Sequence, residues 1–258
     1  MQTILVINSK GGSGKTTLTT NIASYYAVKK FRTAIMDYDP QGSSIQWLRV
    51  RPDNVVKIHG ANAAPAKGAI PLRSTHAWVP SDTEVMIIDA PAGAKGLLLQ
   101  DIVRRSNFIV IPVAPSPIDI HATADFIKDL FLFGGARNAK AKIAVVANRV
   151  RNSSSSVYAS LERFLNSLKL PFLTSIHDSE SYLHAAEKGL GVFEMDAAAT
   201  IAERKELMPI LDWMNGQFPD TFGSRLEGDT SPEVSRKFAM GTQSFTVLSS
   251  TSKSKGLP

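Results

Sequence analysis

The stretch Thr3-Ile4-Leu5-Val6-Ile7-Asn8-Ser9-Lys10-Gly11-Gly12-Ser13-Gly14-Lys15-Thr16-Thr17 decides the architecture of this 258-residue chain. An apolar, β-branched run from Thr3 to Asn8 reads as a strand covered on both faces. It enters a glycine-rich loop, and Lys15 to Lys29 beyond it suits a helix. Glycines let the backbone curl around a phosphate chain so that many N–H groups point inward, and the positive end of the following helix adds to the attraction. Lys15 is placed to neutralise the β- and γ-phosphates, and the Thr16 hydroxyl suits Mg²⁺. A plain glycine turn before a helix explains neither the Lys-Thr pair nor its position. Gly11, Gly12, Ser13, Gly14, Lys15, Thr16 and Thr17 are therefore the candidate nucleotide-binding residues.

Working outward, similar short apolar runs recur at Thr33 to Asp37, Val55 to His59, Glu84 to Asp89, Phe108 to Val113, Ile143 to Asn148 and Phe172 to Ile176. Helix-compatible stretches separate them, notably Ile118 to Phe133, Val157 to Leu168 and Ala197 to Met214. This alternation predicts an α/β fold, a mostly parallel twisted sheet with helices on both faces. From Gly216 onward Gly, Pro, Ser and Thr dominate and periodicity fades. The expected division is an ATPase-sized domain over 1–215 and a disordered tail over 216–258.

Composition prunes the classes. The chain carries a net charge of +6 with 43% hydrophobic residues, an ordinary globular balance on the basic side. It contains no cysteine, which removes thiolate metal sites, iron–sulfur clusters and cysteine nucleophiles. No run is long enough to span a bilayer and the N-terminus lacks the regions of a signal peptide, so a cytoplasmic location is expected.

Two acids recur at strand ends. Asp37 and Asp39 stand two residues apart where the second strand stops, and carboxylates there can hold Mg²⁺ and orient an attacking water. Asp89 ends the apolar run Val85-Met86-Ile87-Ile88, a further candidate for the metal. The loop itself departs from the ordinary phosphate-loop pattern, with Ser9 where a glycine is usual and Lys10 as an additional lysine.

In this form, Lys10-Gly11-Gly12-Ser13-Gly14-Lys15-Thr16-Thr17 resembles the deviant Walker A motif of the ParA/MinD family of P-loop ATPases. The resemblance covers roughly residues 2 to 214 and implies ATP and Mg²⁺ as ligands, with slow ATP hydrolysis. It implies an ATP-dependent homodimer in which Lys10 reaches the partner's nucleotide. It also implies that Asp39 orients the water, that Asp37 supports it, that Thr16, Asp39 and Asp89 serve the metal, and that Ala90 to Gly93 form a switch segment. Asn148, at the end of the sixth strand, resembles the family's adenine-reading asparagine; an ordinary turn role is nearly as compatible with the residue.

Within that family the missing cysteines exclude the redox and metal-carrying members. Arg137, Lys140, Lys142, Arg149 and Arg151 fall within one acid-free stretch, and Lys188, Arg204 and Lys205 lie in the C-terminal helical part. Arg149, Arg151, Lys188, Arg204 and Lys205 are thus candidates for sequence-independent contact with double-stranded DNA; each also reads as a solvated helix end. The loop Ile176 to Ser181 carries Asp178 and Ser181 where many relatives place arginines, which weakens that reading there. With the first strand read as starting almost at Met1, an N-terminal helix-turn-helix and sequence-specific operator binding are not expected. The expectation is a nucleoid-associated positioning ATPase acting with a cargo adaptor, most similar to the McdA-like carboxysome positioners. A MinD-like membrane regulator and an ATP-dependent small-molecule ligase are the alternatives; the tail offers only a poor amphipathic helix around Val234 to Val247.

Overall fold

The computed structural model describes residues 1–64, 78–136, 139–219 and 222–226. Within them the order is β1 (Gln2–Val6), α1 (Lys15–Val28), β2 (Thr33–Asp37), α2 (Ser43–Arg49), β3 (His59–Asn62), β4 (Val85–Asp89), α3 (Gly96–Arg105) and β5 (Phe108–Val113). Then follow α4 (Pro117–Leu132), β6 (Lys142–Val150), α5 (Ser156–Ser167), β7 (Phe172–His177), α6 (Glu180–Glu187), a 3-10 turn (Val192–Glu194), α7 (Ile201–Asn215) and α8 (Gly223–Leu226). The strands form one sheet in the order β3-β2-β4-β1-β5-β6-β7, every neighbouring pair parallel. The expected doubly covered parallel sheet is the one observed.

Strands β2, β4 and β5 are buried at every position, as their unbroken apolar runs require. Two apolar clusters flank the sheet. One holds Ile4, Val6, Leu18, Tyr26, Phe31 and Trp213; the other holds Leu5, Ile7, Ile88, Ile102, Leu130 and Leu161. Helix α1 is buried on nearly every side: the 3-10 turn packs against it and Asn215, the last residue of α7, reaches its tyrosines. A buried asparagine locks this second layer: Asn215 accepts from Tyr26 Oη at 3.0 Å and donates to Tyr25 Oη at 3.1 Å.

Two expectations are revised. The third strand lies at His59–Asn62, not Val55 to His59, in register with Ala34–Asp37 of β2. Val56 instead packs on the core while its carbonyl accepts the Arg51 guanidinium, and Gly60 admits the α2 side chains: a Cβ there would lie 2.6 Å from Leu48 Cδ1. The C-terminal boundary also moves. Phe218 and Leu226 are buried in the core, and Phe222 stacks on Phe31 with centroids 5.2 Å apart. The Arg225 guanidinium lies over Phe31, donates to the Lys30 carbonyl and forms a two-pronged pair with Glu84. Residues after 226 lie outside those described. Phe218→Ala should lower the unfolding free energy by about 3 kcal/mol, seen as an earlier urea midpoint; an unchanged midpoint would mean that the domain ends before it.

Candidate nucleotide-binding site

The carboxyl ends of parallel strands are where open α/β sheets hold ligands, and here the ends of β1, β2, β4, β6 and β7 share one edge. A cavity of about 450 Å³ opens there. It is lined by Gly11, Gly12, Gly14, Lys15, Thr16 and Thr17, by Asp39, and by Asn148, Arg149 and His177.

The loop is braced from three sides. Gly12 and Gly14 have φ of +77° and +85°, the left-handed region open to glycine. Buried Asn148 donates from Nδ2 to the Ser13 carbonyl at 2.7 Å, so close that a Cβ on Gly14 would lie 2.1 Å from that nitrogen. From below, fully buried Asn8 donates to the Pro112 carbonyl at 2.7 Å and to Thr123 Oγ1 at 3.0 Å, while its Oδ1 accepts the Lys10 N–H at 3.3 Å. Across the mouth, Lys15 Nζ and Ser13 Oγ both donate to the Lys10 carbonyl, at 3.0 and 3.2 Å. Gly14 caps α1 with no side chain over the first turn, so the helix N–H groups stay available to an anion. Burial lowers the pKa of Lys15, with Asp89 and Asp39 opposing the shift.

The three carboxylates divide their tasks. Asp37 is fully buried; Oδ1 accepts the Asp39 N–H at 2.9 Å, and Oδ2 accepts Ser44 Oγ at 2.7 Å and the Ser44 and Ile45 N–H groups. Its lone pairs are spent on capping α2 and on the Asp39 N–H, so Asp37 holds the backbone that carries Asp39. Asp39 is half-buried and lines the cavity. Buried Asp89 has no hydrogen-bond partner of good geometry on either oxygen. Burial, and secondly the charge of Asp37, push its pKa to about 7, against the opposing pull of the Thr16 and Ser44 hydroxyls and Lys15. Such an orphaned carboxylate is costly, and a divalent cation beside Thr16 would relieve it. Oxygen donors from Thr16, Asp39 and Asp89 suit Mg²⁺. Bound there, it would neutralise charge on the β- and γ-phosphates. Among the described residues there is no group of three or more His, Cys, Asp or Glu that could hold a metal ion.

Lys10 does not line this cavity. It faces an adjoining one of about 510 Å³, separated by Gly11, Gly12, Arg149 and Asp178, which belong to both. Helix α2 and the residues just after it are tied to the C-terminal part: Trp47 Nε1 donates to the Leu190 carbonyl at 3.2 Å, and Arg51 forms a buried ion pair with Glu194.

The basic patch is smaller than the sequence spacing suggests. Asp178 pairs with Arg149 at 3.5 Å and with Arg151 at 3.1 Å. Arg149 also donates to the Gly12 carbonyl at 3.1 Å and holds a left-handed φ of +57°. Arg204 spends its donors on the Val192 and Met195 carbonyls and Thr200 Oγ1, which makes it a tie between α7 and the 3-10 turn. Lys188 and Lys205 are exposed; Arg137 lies outside the described residues. Sequence reasoning missed Asn8 and His177. Asn8 carried a signal, a polar residue at the end of an apolar strand just before the loop; His177 carried none.

A phosphate cradle on a parallel sheet, with a lysine, a threonine and strand-end acids converging on it, defines a P-loop nucleotide-binding protein. Residues 4–192 match the CobQ/CobB/MinD/ParA nucleotide binding domain, and the chain belongs to that family. It is 29% identical over 202 residues to the "Maintenance of carboxysome distribution protein A" of Halothiobacillus neapolitanus, covering 76% of this chain and 88% of the relative. The protein of that name from Gloeobacter kilaueensis is 26% identical over 192 residues, 74% of this chain and 83% of its own length. Among solved structures, a putative plasmid partition protein of Borrelia burgdorferi bound to AMPPNP superposes with a TM-score of 0.64 at 14% identity, covering 84% of this chain and 99% of that one. Apo McdA of Cyanothece gives 0.60 at 15% identity, covering 82% and 99%. No helix among the described residues is long and apolar enough to cross a membrane.

Two measurements probe this geometry. Gly14→Ala should cost about 3 kcal/mol of stability and abolish nucleotide binding; in an Asn148→Ala background the cost should fall to the roughly 1–2 kcal/mol of left-handed strain alone. A raised acid is protonated in the folded state when its unfolded counterpart is not. Stability of the nucleotide-free protein should therefore fall as pH rises from about 4 to about 7. Asp89→Asn should flatten that slope and raise stability at neutral pH by about 1–3 kcal/mol, as read by denaturant titration.

Proposed function

We propose that the chain is an ATPase that dimerises around ATP, binds DNA without sequence preference as the dimer, and positions a cargo along the nucleoid. A cargo-bound adaptor stimulates its hydrolysis. The single observation that carries this is the placement of Lys10, outside its own chain's nucleotide cavity and beside a second open cavity that shares the loop glycines. A lysine so placed is suited to another subunit's phosphates. The carboxysome-distribution relatives, matched over most of their length, make the carboxysome the favoured cargo.

In this reading Lys15 and the α1 N-terminus bind the phosphates, Thr16, Asp89 and Asp39 serve Mg²⁺, and Asp39 orients the attacking water. DNA contact falls to Lys188 and Lys205, and to Arg149 and Arg151 in so far as Asp178 releases them. Phosphate contact of this kind weakens steeply with salt. Lys15→Ala should lose nucleotide, measured by calorimetry, while Asp39→Ala should retain ATP and accumulate as a dimer in light scattering. ATP-dependent binding to unrelated DNA duplexes, lost with added salt, is expected. ATP-dependent pelleting with anionic liposomes in place of DNA would overturn the nucleoid reading in favour of a membrane regulator.

A further inference from the structure

Where β6 and β7 end side by side, one acid sits between two arginines. Asp178 Oδ1 lies 3.5 Å from Arg149 Nε and Oδ2 accepts Arg151 Nε at 3.1 Å, so each carboxylate oxygen meets its own guanidinium. The arrangement is set by the backbone. The β6–β7 register shifts between Ala147 and Val150, Arg149 takes its left-handed φ of +57° inside that irregularity, and the Asp178 N–H donates to the Val150 carbonyl at 3.0 Å. Irregularities of this kind re-aim a side chain that the pleat would point elsewhere, and here they bring positions 149 and 151 to one carboxylate.

Stability does not account for this trio. The Arg151 side chain is 81% exposed and that of Arg149 47%; ion pairs so open to water return little, and a residue other than glycine is strained in the left-handed region. Its chemistry is more telling: two guanidinium groups close on one centre that bears two charged oxygens. A phosphodiester presents the same two oxygens, and arginine takes carboxylate and phosphate in the same two-pronged way. The cavity that Asp178, Arg149 and Arg151 line is also lined by Lys10 and by Asp119, so without the charge of Asp178 it holds three cations against one acid.

We propose that Arg149 and Arg151 form a phosphodiester-binding pair for duplex DNA and that Asp178 is its internal competitor, occupying in the free chain the place that a backbone phosphate takes in the complex. This rests on the reading of the chain as a sequence-independent DNA binder. A carboxylate tethered beside the pair competes at a high effective concentration, so each phosphate must displace it. The duplex is then held more weakly than the charge surplus of the chain would allow, and the contact reverses easily.

The test is equilibrium binding of a fluorescent duplex of arbitrary sequence, with Mg²⁺-ATP present, to the full chain and to Asp178→Asn, Arg151→Ala and the double variant, with melting temperatures as a check on folding. Asp178→Asn keeps the shape and removes the charge. It should bind the duplex about tenfold more tightly, and the slope of log K against log salt should steepen by about 0.9 per subunit. In the Arg151→Ala background the gain should shrink to about threefold, because half of the pair is gone. Unchanged duplex affinity in Asp178→Asn, beside a wild-type chain that binds the duplex, overturns the competitor role and leaves the DNA reading standing. An equal gain in both backgrounds overturns it too, since loss of charge alone then explains the effect. A gain of the same size in ATP affinity without DNA assigns Asp178 to the nucleotide cavity, whose wall it shares, and also overturns the competitor role. Chains that bind ATP but no duplex, wild type and variants alike, overturn both the competitor role and the DNA reading.

Discussion

The buried hydrogen bond from the Asn148 amide to the Ser13 carbonyl joins the end of β6 to the phosphate loop across 135 positions of sequence. Everything at the site is registered against it. It leaves no space for any residue but glycine at position 14, and with the Asn8 bonds below it fixes the loop before any ligand arrives. Such pre-formed donors cost no reorganisation when a phosphate binds. They also explain why Lys15 can be buried: its ammonium already has the Lys10 carbonyl and two acids nearby, and needs only the anion itself.

What the sequence made legible follows from how local each constraint is. Strands buried on both faces must be largely apolar, so β2, β4 and β5 were readable from Thr33 to Asp37, Glu84 to Asp89 and Phe108 to Val113, with β4 starting one residue later than read. The edge strand β3 was not, because its pairing with β2 is decided by Gly60 meeting Leu48, a contact between segments. The loop, Asp39 and Asp89 were legible as motif positions. The spent lone pairs of Asp37 were not, since Ser44 and Ile45 reach it only after α2 forms. Likewise Phe218, Phe222 and Arg225 sit in a stretch whose composition reads as tail; three well-placed side chains suffice to dock it.

Asp178 shows how one acid redistributes a basic surface. It pairs with both Arg149 and Arg151, two of the sequence's candidates for phosphate contact, and with Arg149 it forms part of the wall between two cavities. The charge surplus of the chain is thus only partly displayed. Exposed ion pairs of this kind contribute little to stability, about 1 kcal/mol or less, so Asp178 matters chiefly for where positive potential is presented and for keeping the strained Arg149 backbone over Gly12.

The docking of Arg225 has a spatial consequence. Glu84 and Lys30 precede β4 and β2, so the clamp lies at the amino ends of the strands. The phosphate loop lies at their carboxyl ends, about 17 Å away for strands of five residues. The last described residue, Leu226, therefore lies near the pole opposite the phosphate loop. Phe218, Phe222 and Arg225 are thereby anchored on the far side of the sheet and take no part in the edge that carries Lys15, Asp39 and Asp89.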